Sequence, residues 1–316
     1  MAATNTMKVL REEFQNVLVE LRNGEFPLFD VIAKRDNYQD NIKWTVNTST
    51  GASTGIAATS AAPAASSDVV QTATLPNGAH LFSETIELTK NDMAAHAEVG
   101  ANDALRDLFR AHLRTKVQKM LTSIESNLFA GVGNQASGGM VGLDAICADA
   151  AYAGIDPSTY TAWSAYLNTS GSNRALTEAL LRTVHTNIRK KGKFYDAIVM
   201  PYELFEKFEA LVDAKEGVYT GNSLIAQLGY AEGMYKGRPI ICSPQAPDNQ
   251  IYFVNTKDMA LFTRRTKDTQ VVEGLNVQLG QIDAGTSRNV KFEIAVFPQL
   301  VYADRASVGL LEALIQ

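Results

Sequence analysis

The sequence predicts an α+β fold in which an extended arm and a long helix precede a mixed α/β region and a closing set of strands. Three observations predict it. Thr45 to Ala79 carries one charge, Asp68, and no aromatic residue, and is rich in Ala, Ser, Thr and Gly. Asn91 to Ala130 follows almost directly and reads as one long amphipathic helix. From Leu176 onward, short apolar runs alternate with helical patterns, and the last sixty or so residues alternate in strand fashion. A bland arm beside a long helix is odd for an enzyme. It suits a subunit that hooks onto copies of itself.

Taken in order, Met7, Leu10, Phe14, Val17, Leu18 and Leu21 recur at helical spacing, and Asn23-Gly24 ends that helix. Phe26-Pro27-Leu28-Phe29 extends the apolar stripe of this N-terminal arm, whose partner is either its own core or a neighbour. Ile42, Trp44 and Val46 alternate with polar residues, as do Phe82, Glu84, Ile86 and Leu88. With the bland segment between them, these two strands predict one extended β-hairpin. A two-stranded hairpin is marginal alone in water, and structureless loops beyond ~15 residues are uncommon in compact domains. The segment is therefore either a floppy loop, which composition alone favours, or an arm ordered by another chain.

Asn91 and Asp92 are suitable N-caps for the long helix. Leu105, Phe109, Leu113, Val117, Met120, Ile124 and Leu128 form its stripe, and Gly131 and Gly133 end it. Met93 to Ala130 spans ~57 Å as a helix, and Gly100 allows a fresh start at Asn102. Arg106, Arg110, Arg114 and Lys119 share a polar face, read first as solvated and partly paired with Asp103 and Asp107. The sharper reading presents that face to a polyanion or an acidic neighbour. Further on, Leu176, Leu180, Val184 and Ile188 mark a helix whose terminal Arg189-Lys190-Lys191 suits the helix dipole. Ala197 to Met200 is a short buried strand, and Pro201 opens a helix through Leu204, Phe205, Phe208 and Leu211. Pro239 to Cys242, Ile251 to Val254, Val271-Val272, Val277 to Leu279 and Phe292 to Val296 are the remaining strands.

The bulk numbers narrow the function. The chain has 316 residues, 46% hydrophobic and 20% charged, with a net charge of -5. That is an ordinary globular composition without the net basic surface of a sequence-independent nucleic-acid binder. Cys147 and Cys242 are its two cysteines, which suits a reducing compartment and no disulfide scaffold. No signal peptide is read in Met1 to Glu13, and no apolar run approaches the ~20 residues of a membrane span. The expectation is a soluble protein made in the cytosol.

Local chemistry is sparse. Gly51-Ala52-Ser53-Thr54-Gly55 matches the nucleophile-elbow pattern, but that elbow needs a buried strand before it and a helix after it. Here low-complexity sequence flanks Ser53 on both sides, so coincidence explains it better than a serine hydrolase. Gly131-Val132-Gly133 sits at a helix end, where no dinucleotide fingerprint belongs. His80, His96, His112 and His185 are scattered without metal-ligand spacing. No catalytic, cofactor-binding or metal-binding residue is expected, and the absences together point to a structural or interaction protein.

The order of parts resembles the major capsid protein of tailed phages, the Hong Kong 97-type capsid fold. Two stretches carry the local resemblance. Gly142-Leu143-Asp144-Ala145-Ile146, followed by Tyr152-Ala153-Gly154-Ile155-Asp156-Pro157 and then Tyr160 and Trp163, is similar to a stretch common in these proteins. It departs from the family at Ala153, Pro157 and Thr161. Leu228-Gly229-Tyr230, then Tyr235-Lys236-Gly237-Arg238-Pro239-Ile240 leading to Ile251 to Asn255, is similar to two family strands.

The resemblance implies a division into an N-terminal arm (1–35), an extended loop (36–90), a peripheral domain with a spine helix (91–141), an axial domain (142–255) and returning peripheral strands (256–316). It implies a protein without enzymatic activity that self-assembles into hexamers and pentamers. These build an icosahedral head shell, assembled in the host cytoplasm and enclosing double-stranded DNA on its inner face. Portal, scaffold and cement proteins are the implied partners, with no membrane. An encapsulin-type compartment shell is the alternative within the fold. Some members crosslink a loop lysine to a neighbour's asparagine, but Thr45 to Ala79 holds no lysine, and Lys43 and Lys90 only flank it. No crosslink is therefore expected. A family-typical scaffolding segment is also missing from the N-terminus, so a separate scaffold is expected, or none.

Overall fold

The computed structural model describes residues 14–17, 26–48, 70–77, 81–88, 102–131, 140–216, 233–267, 269–272, 274–282 and 290–315. The cap residues Asn91 and Asp92, the elbow around Ser53, and the Leu228 to Tyr230 part of the second resembling stretch lie outside them.

Phe26, Leu28 and Phe29 are buried around a single-turn helix, α1 (Pro27–Val31), with proline where its missing amide costs nothing. The apolar stripe of the arm thus has its own core as partner at this point. The long helix α2 (Asn102–Ala130) begins where Gly100 allowed a fresh start. Leu113, Val117, Met120, Ile124 and Leu128 of its stripe are all buried, with Leu121 beside them. Arg110, Arg114 and Lys119 are exposed on its other side.

β1 (Ala33–Asn37), β10 (Met259–Arg264) and β14 (Pro298–Tyr302) form a three-stranded sheet in the order β1-β10-β14, with β1 parallel to β10. A four-stranded antiparallel sheet runs β11 (Thr269–Val272), β12 (Leu275–Ile282), β13 (Val290–Val296) and β4 (Phe82–Leu88). Phe82 pairs with Val296 and Leu88 with Val290 at its edge. Helix α2 is tied to this sheet by Glu84, which accepts ion pairs from Lys116 at 2.9 Å and Lys119 at 2.8 Å. Partial burial pushes the Glu84 carboxyl up, but the two lysines outweigh it and hold its pKa below the usual value. The lysine of the polar face is therefore committed to its own chain.

The six-stranded sheet is ordered β5 (Tyr166–Asn168), β15 (Gly309–Leu311), β9 (Ile251–Val254), β6 (Ala197–Met200), β8 (Arg238–Cys242), β7 (Met234–Tyr235). Alternate residues of one strand enter different cores. Ile198, Met200, Ile251 and Phe253 face α4 (Glu178–Lys190) and α5 (Tyr202–Glu216), whereas Ala197, Val199, Tyr252 and Val254 join the main core. Such strands are apolar throughout because both faces are covered. Thr177 caps α4, its hydroxyl accepting from the Leu180 N–H.

One expectation is corrected. The strand from Ile42 to Val46 is present as β2 (Asn41–Asn47), but its partner is not β4. It pairs antiparallel with β3 (Val70–Pro76), from Asn41 opposite Pro76 to Asn47 opposite Val70. β3 lies inside the segment read as a bland connection. Its inward residues are Ala73 and Leu75, and the small one sits opposite Trp44. The indole fills the space that a larger residue at 73 would occupy, so the strand carries a weak apolar signal.

Candidate functional site at the root of the hairpin

Among the described residues the β2–β3 ribbon pairs with no third strand, and its root is held by side-chain and backbone contacts. Asn77 fastens the two strand ends: its N–H donates to the Asp40 carbonyl at 2.8 Å and its Nδ2 to the Gln39 carbonyl at 2.9 Å. Trp44 Nε1 donates to the Ala303 carbonyl at 3.1 Å. On the far edge, the Thr74 N–H donates to the Ala153 carbonyl at 2.9 Å. Ile42, Val46, Ala73 and Leu75 are buried beneath the ribbon, while Lys43, Thr45 and Asn47 point outward and are exposed.

The surface under the ribbon is made by a tight turn. Tyr152 and Ile155 exchange both backbone hydrogen bonds, at 3.1 and 3.0 Å, across Ala153 and Gly154. Both central residues have positive φ, 53° and 80°. This is the two-residue hairpin geometry that glycine favours and that alanine adopts at some cost. Tyr152 is fully buried, between Trp44 at 6.2 Å and Trp163 at 6.1 Å between ring centroids. Its hydroxyl accepts from the Tyr302 N–H at 2.8 Å. The two tryptophans of the chain therefore flank one tyrosine.

Below this column lies Arg305, 1% exposed. Its Nε donates to the Ile146 carbonyl at 2.6 Å, its Nη1 to the Ala150 carbonyl at 2.9 Å and its Nη2 to the Ala148 carbonyl. Burial pushes the guanidinium pKa below its ordinary value. It is a buried cation held by a cup of carbonyls at the end of α3 (Leu143–Cys147), and it fixes the loop that carries Tyr152.

A buried acid joins α1, α2 and the end of β8 in the six-stranded sheet. Glu125 of α2 is fully buried, and its Oε1 accepts from the Leu28 N–H at 3.1 Å and the Ser243 hydroxyl at 2.9 Å. Its Oε2 accepts from the Phe29 N–H at 2.8 Å. Burial drives its pKa up, against the downward pull of these three donors. Where α2 ends, Gly142 N–H donates to the Gly131 carbonyl at 2.8 Å. A Cβ on Gly142 would lie 2.5 Å from both Gly131 N and the Phe129 carbonyl oxygen, so only glycine permits the crossing.

Among the described residues no three His, Cys, Asp or Glu side chains gather to hold a metal ion. Cys147 and Cys242 form no disulfide, and burial pushes the Cys147 thiol far up. No described helix is long and apolar enough to cross a membrane. What the geometry offers is a rigid socket from which a two-stranded ribbon projects. A family model for the SU10 major capsid protein matches residues 2–273. The chain belongs to the SU10 major capsid protein family.

Solved structures agree on the fold. The cyanophage A-1(L) capsid asymmetric unit matches 92% of this chain and 93% of its own, at 21% identity and a TM-score of 0.76. A Mycobacterium phage Adephagia chain matches 92% and 90%, at 12% identity and a TM-score of 0.55. The SrpI encapsulin of Synechococcus elongatus PCC 7942 matches 91% and 86%, at 11% identity and a TM-score of 0.60. No curated protein sequence matches the chain. The Hong Kong 97-type capsid fold expected from the order of parts is the fold observed, and the chain is a phage major capsid protein, a structural component of the virion.

In this SU10-family protein, the resembling stretch from Gly142 to Trp163 is the socket itself: the close crossing at Gly142, the turn at Ala153-Gly154 and the stacked Trp163. The other resembling stretch makes the β7–β8 hairpin, turned by Lys236 and Gly237 at φ of 51° and 74°. Arg305 and Glu125 escaped sequence reading. Glu125 did leave a trace, since it falls four residues after Leu121 and three before Leu128, inside the apolar stripe.

Proposed function

We propose that this capsid protein self-assembles, through hexamers and pentamers, into a closed icosahedral head shell that encloses phage double-stranded DNA. The observation that carries the reading is the ribbon. A two-stranded sheet is marginal in water, yet β2 and β3 pair over seven residues from a rigid root, with their outward face left to solvent. Laid across a neighbouring copy, that ribbon gains contacts for its outward face. Repetition around rotation axes closes the shell. The five-part division at residues 35/36, 90/91, 141/142 and 255/256 fits this role. So does assembly in the host cytoplasm, with portal, scaffold or cement proteins as further partners. The acidic total charge suits a container whose DNA must slide and leave. The phage-capsid family match favours this over an encapsulin-type shell, with which the chain shares only the fold.

Negative-stain micrographs of the expressed protein test it. Round particles of uniform size are expected, and DNA rather than protein cargo inside particles purified from infected cells. A chain that stays monomeric at high concentration overturns the reading. On a denaturing gel, the particles are expected to run as one band at the subunit mass, because Thr45 to Ala79 has no lysine to crosslink. A ladder of covalent multimers overturns that part.

A further inference from the structure

The outer layer of the axial region leaves charges of both signs without ion-pair partners. Helix α5 carries Glu203, Glu206 and Glu209 at steps of three, all exposed, against a single lysine, Lys207, on the same stretch. Beside it, Arg189 at the end of α4 and Lys236 and Arg238 of the β7–β8 hairpin form a basic cluster. Their charges converge on His185, whose pKa is held below its usual value first by burial and then by these three cations. None of the three glutamates or three cations is ion-paired to another described residue. The same layer also holds an internal pair, Arg182 to Glu178 at 2.7 Å, so the six unpaired charges stand out against it.

Apolar groups accompany each patch. Tyr202, next to Glu203, is 49% exposed; Phe194, under the Arg189 guanidinium at 4.2 Å, is 56% exposed; Met234, two residues before Lys236, is 51% exposed. Exposed aromatics, methionine and arginine together mark protein–protein contact surfaces. A ring of identical subunits needs a heterologous contact, in which two different patches of one chain complement each other. Acid against base, each rimmed with apolar side chains, meets that need.

We infer that the Glu203–Glu206–Glu209 face of α5 docks against the Arg189–Lys236–Arg238 cluster of a second copy of this chain. This rests on the shell-forming reading above and adds which surfaces meet. A polyanion is the competing occupant of the basic cluster, but the matching acidic face on the same chain favours a second copy.

The test uses charge reversal in the full chain. One variant carries E203K and E206K, a second K236E and R238E, and a third all four changes. All four residues lie at the surface or partly so, and circular dichroism melts that match the wild type show the variants folded. Each double variant is expected to lose at least tenfold in particle yield by sedimentation. The fourfold variant, in which complementarity is restored with inverted sign, is expected to recover particles. Wild-type assembly is expected to weaken as salt rises from about 0.05 to 0.5 M, as exposed charges are screened. If the wild type forms particles and both double variants assemble equally well, the inference is overturned while the shell-forming reading stands. If the K236E/R238E particles form normally but lose only bound DNA, the cluster serves polyanion and the inference is equally overturned. If the wild type itself never assembles, the shell-forming reading has failed first.

Discussion

Replacing Arg305 with methionine is expected to destabilise the chain by about 3–5 kcal/mol, the cost of leaving several buried acceptors unpaired. Methionine keeps much of the volume but supplies no donor, so the carbonyls of Ile146, Ala148 and Ala150 lose their partners inside the protein. Each orphaned carbonyl costs roughly 1–3 kcal/mol, offset in part because a cation no longer has to be desolvated. Lysine at 305 retains a charge but lacks the planar fork that reaches three acceptors at once, so Arg305→Lys is expected to fall between wild type and Arg305→Met. Urea titration followed by tryptophan emission makes the measurement local. Trp44 and Trp163 are the only tryptophans and both flank Tyr152 in the column above Arg305. A loss below about 1 kcal/mol for the methionine variant, typical of a surface change, would mean the carbonyl cup does not depend on this side chain.

The second large effect is at Glu125. Alanine there strips acceptors from the Leu28 and Phe29 amides and the Ser243 hydroxyl at once, with an expected loss of about 3–5 kcal/mol. Glutamine preserves one oxygen and turns the other into an NH2 donor facing a donor, so its cost is expected nearer 1–3 kcal/mol. The pH dependence has a definite sign. Burial raises the Glu125 pKa in the folded chain, so its protonation contributes stability that is fully present below the unfolded value. That contribution is lost as pH rises through the folded value. The advantage of wild type over Glu125→Gln should therefore shrink as pH climbs from about 4.5, near the usual glutamate value, toward neutrality. Glu84, held low by Lys116 and Lys119, works in the opposite direction: its stabilisation is present at neutral pH and fades as acid protonates it. Comparing the two Glu125 forms at each pH cancels the Glu84 contribution. An advantage that instead grows with pH would contradict the burial-dominated account.

What could be read from sequence, and what could not, follows from how far apart the interacting residues are. β6 and β9 announced themselves as unbroken apolar runs because both of their faces are covered. Helices α2 and α4 showed their stripes, and Gly131 punctuated α2 where the structure has its end. The fold family came from the order of these parts. β3 was missed because its inward side chains are one alanine and one leucine, with the bulk supplied by Trp44 across the ribbon. The pairing of β4 with β13 links residues some two hundred apart, and alternation within a strand says nothing about its neighbour. Arg305 gave no local sign either: its partners lie 155 to 159 residues earlier, and a lone arginine in a loop reads as solvated. The socket is thus a product of long-range meeting, visible only once the chain has folded.

The place of β15 has a bearing on timing. It enters the six-stranded sheet between β5 and β9, parallel to one and antiparallel to the other, and β5 touches no other strand. Yet residues 309–311 are translated after every other strand of that sheet. Until they emerge from the ribosome, the sheet stands open by one strand and β5 has nothing to join. Helix α4 then lacks part of the floor on which it packs. The six-stranded sheet can therefore close only when the chain is almost fully synthesised.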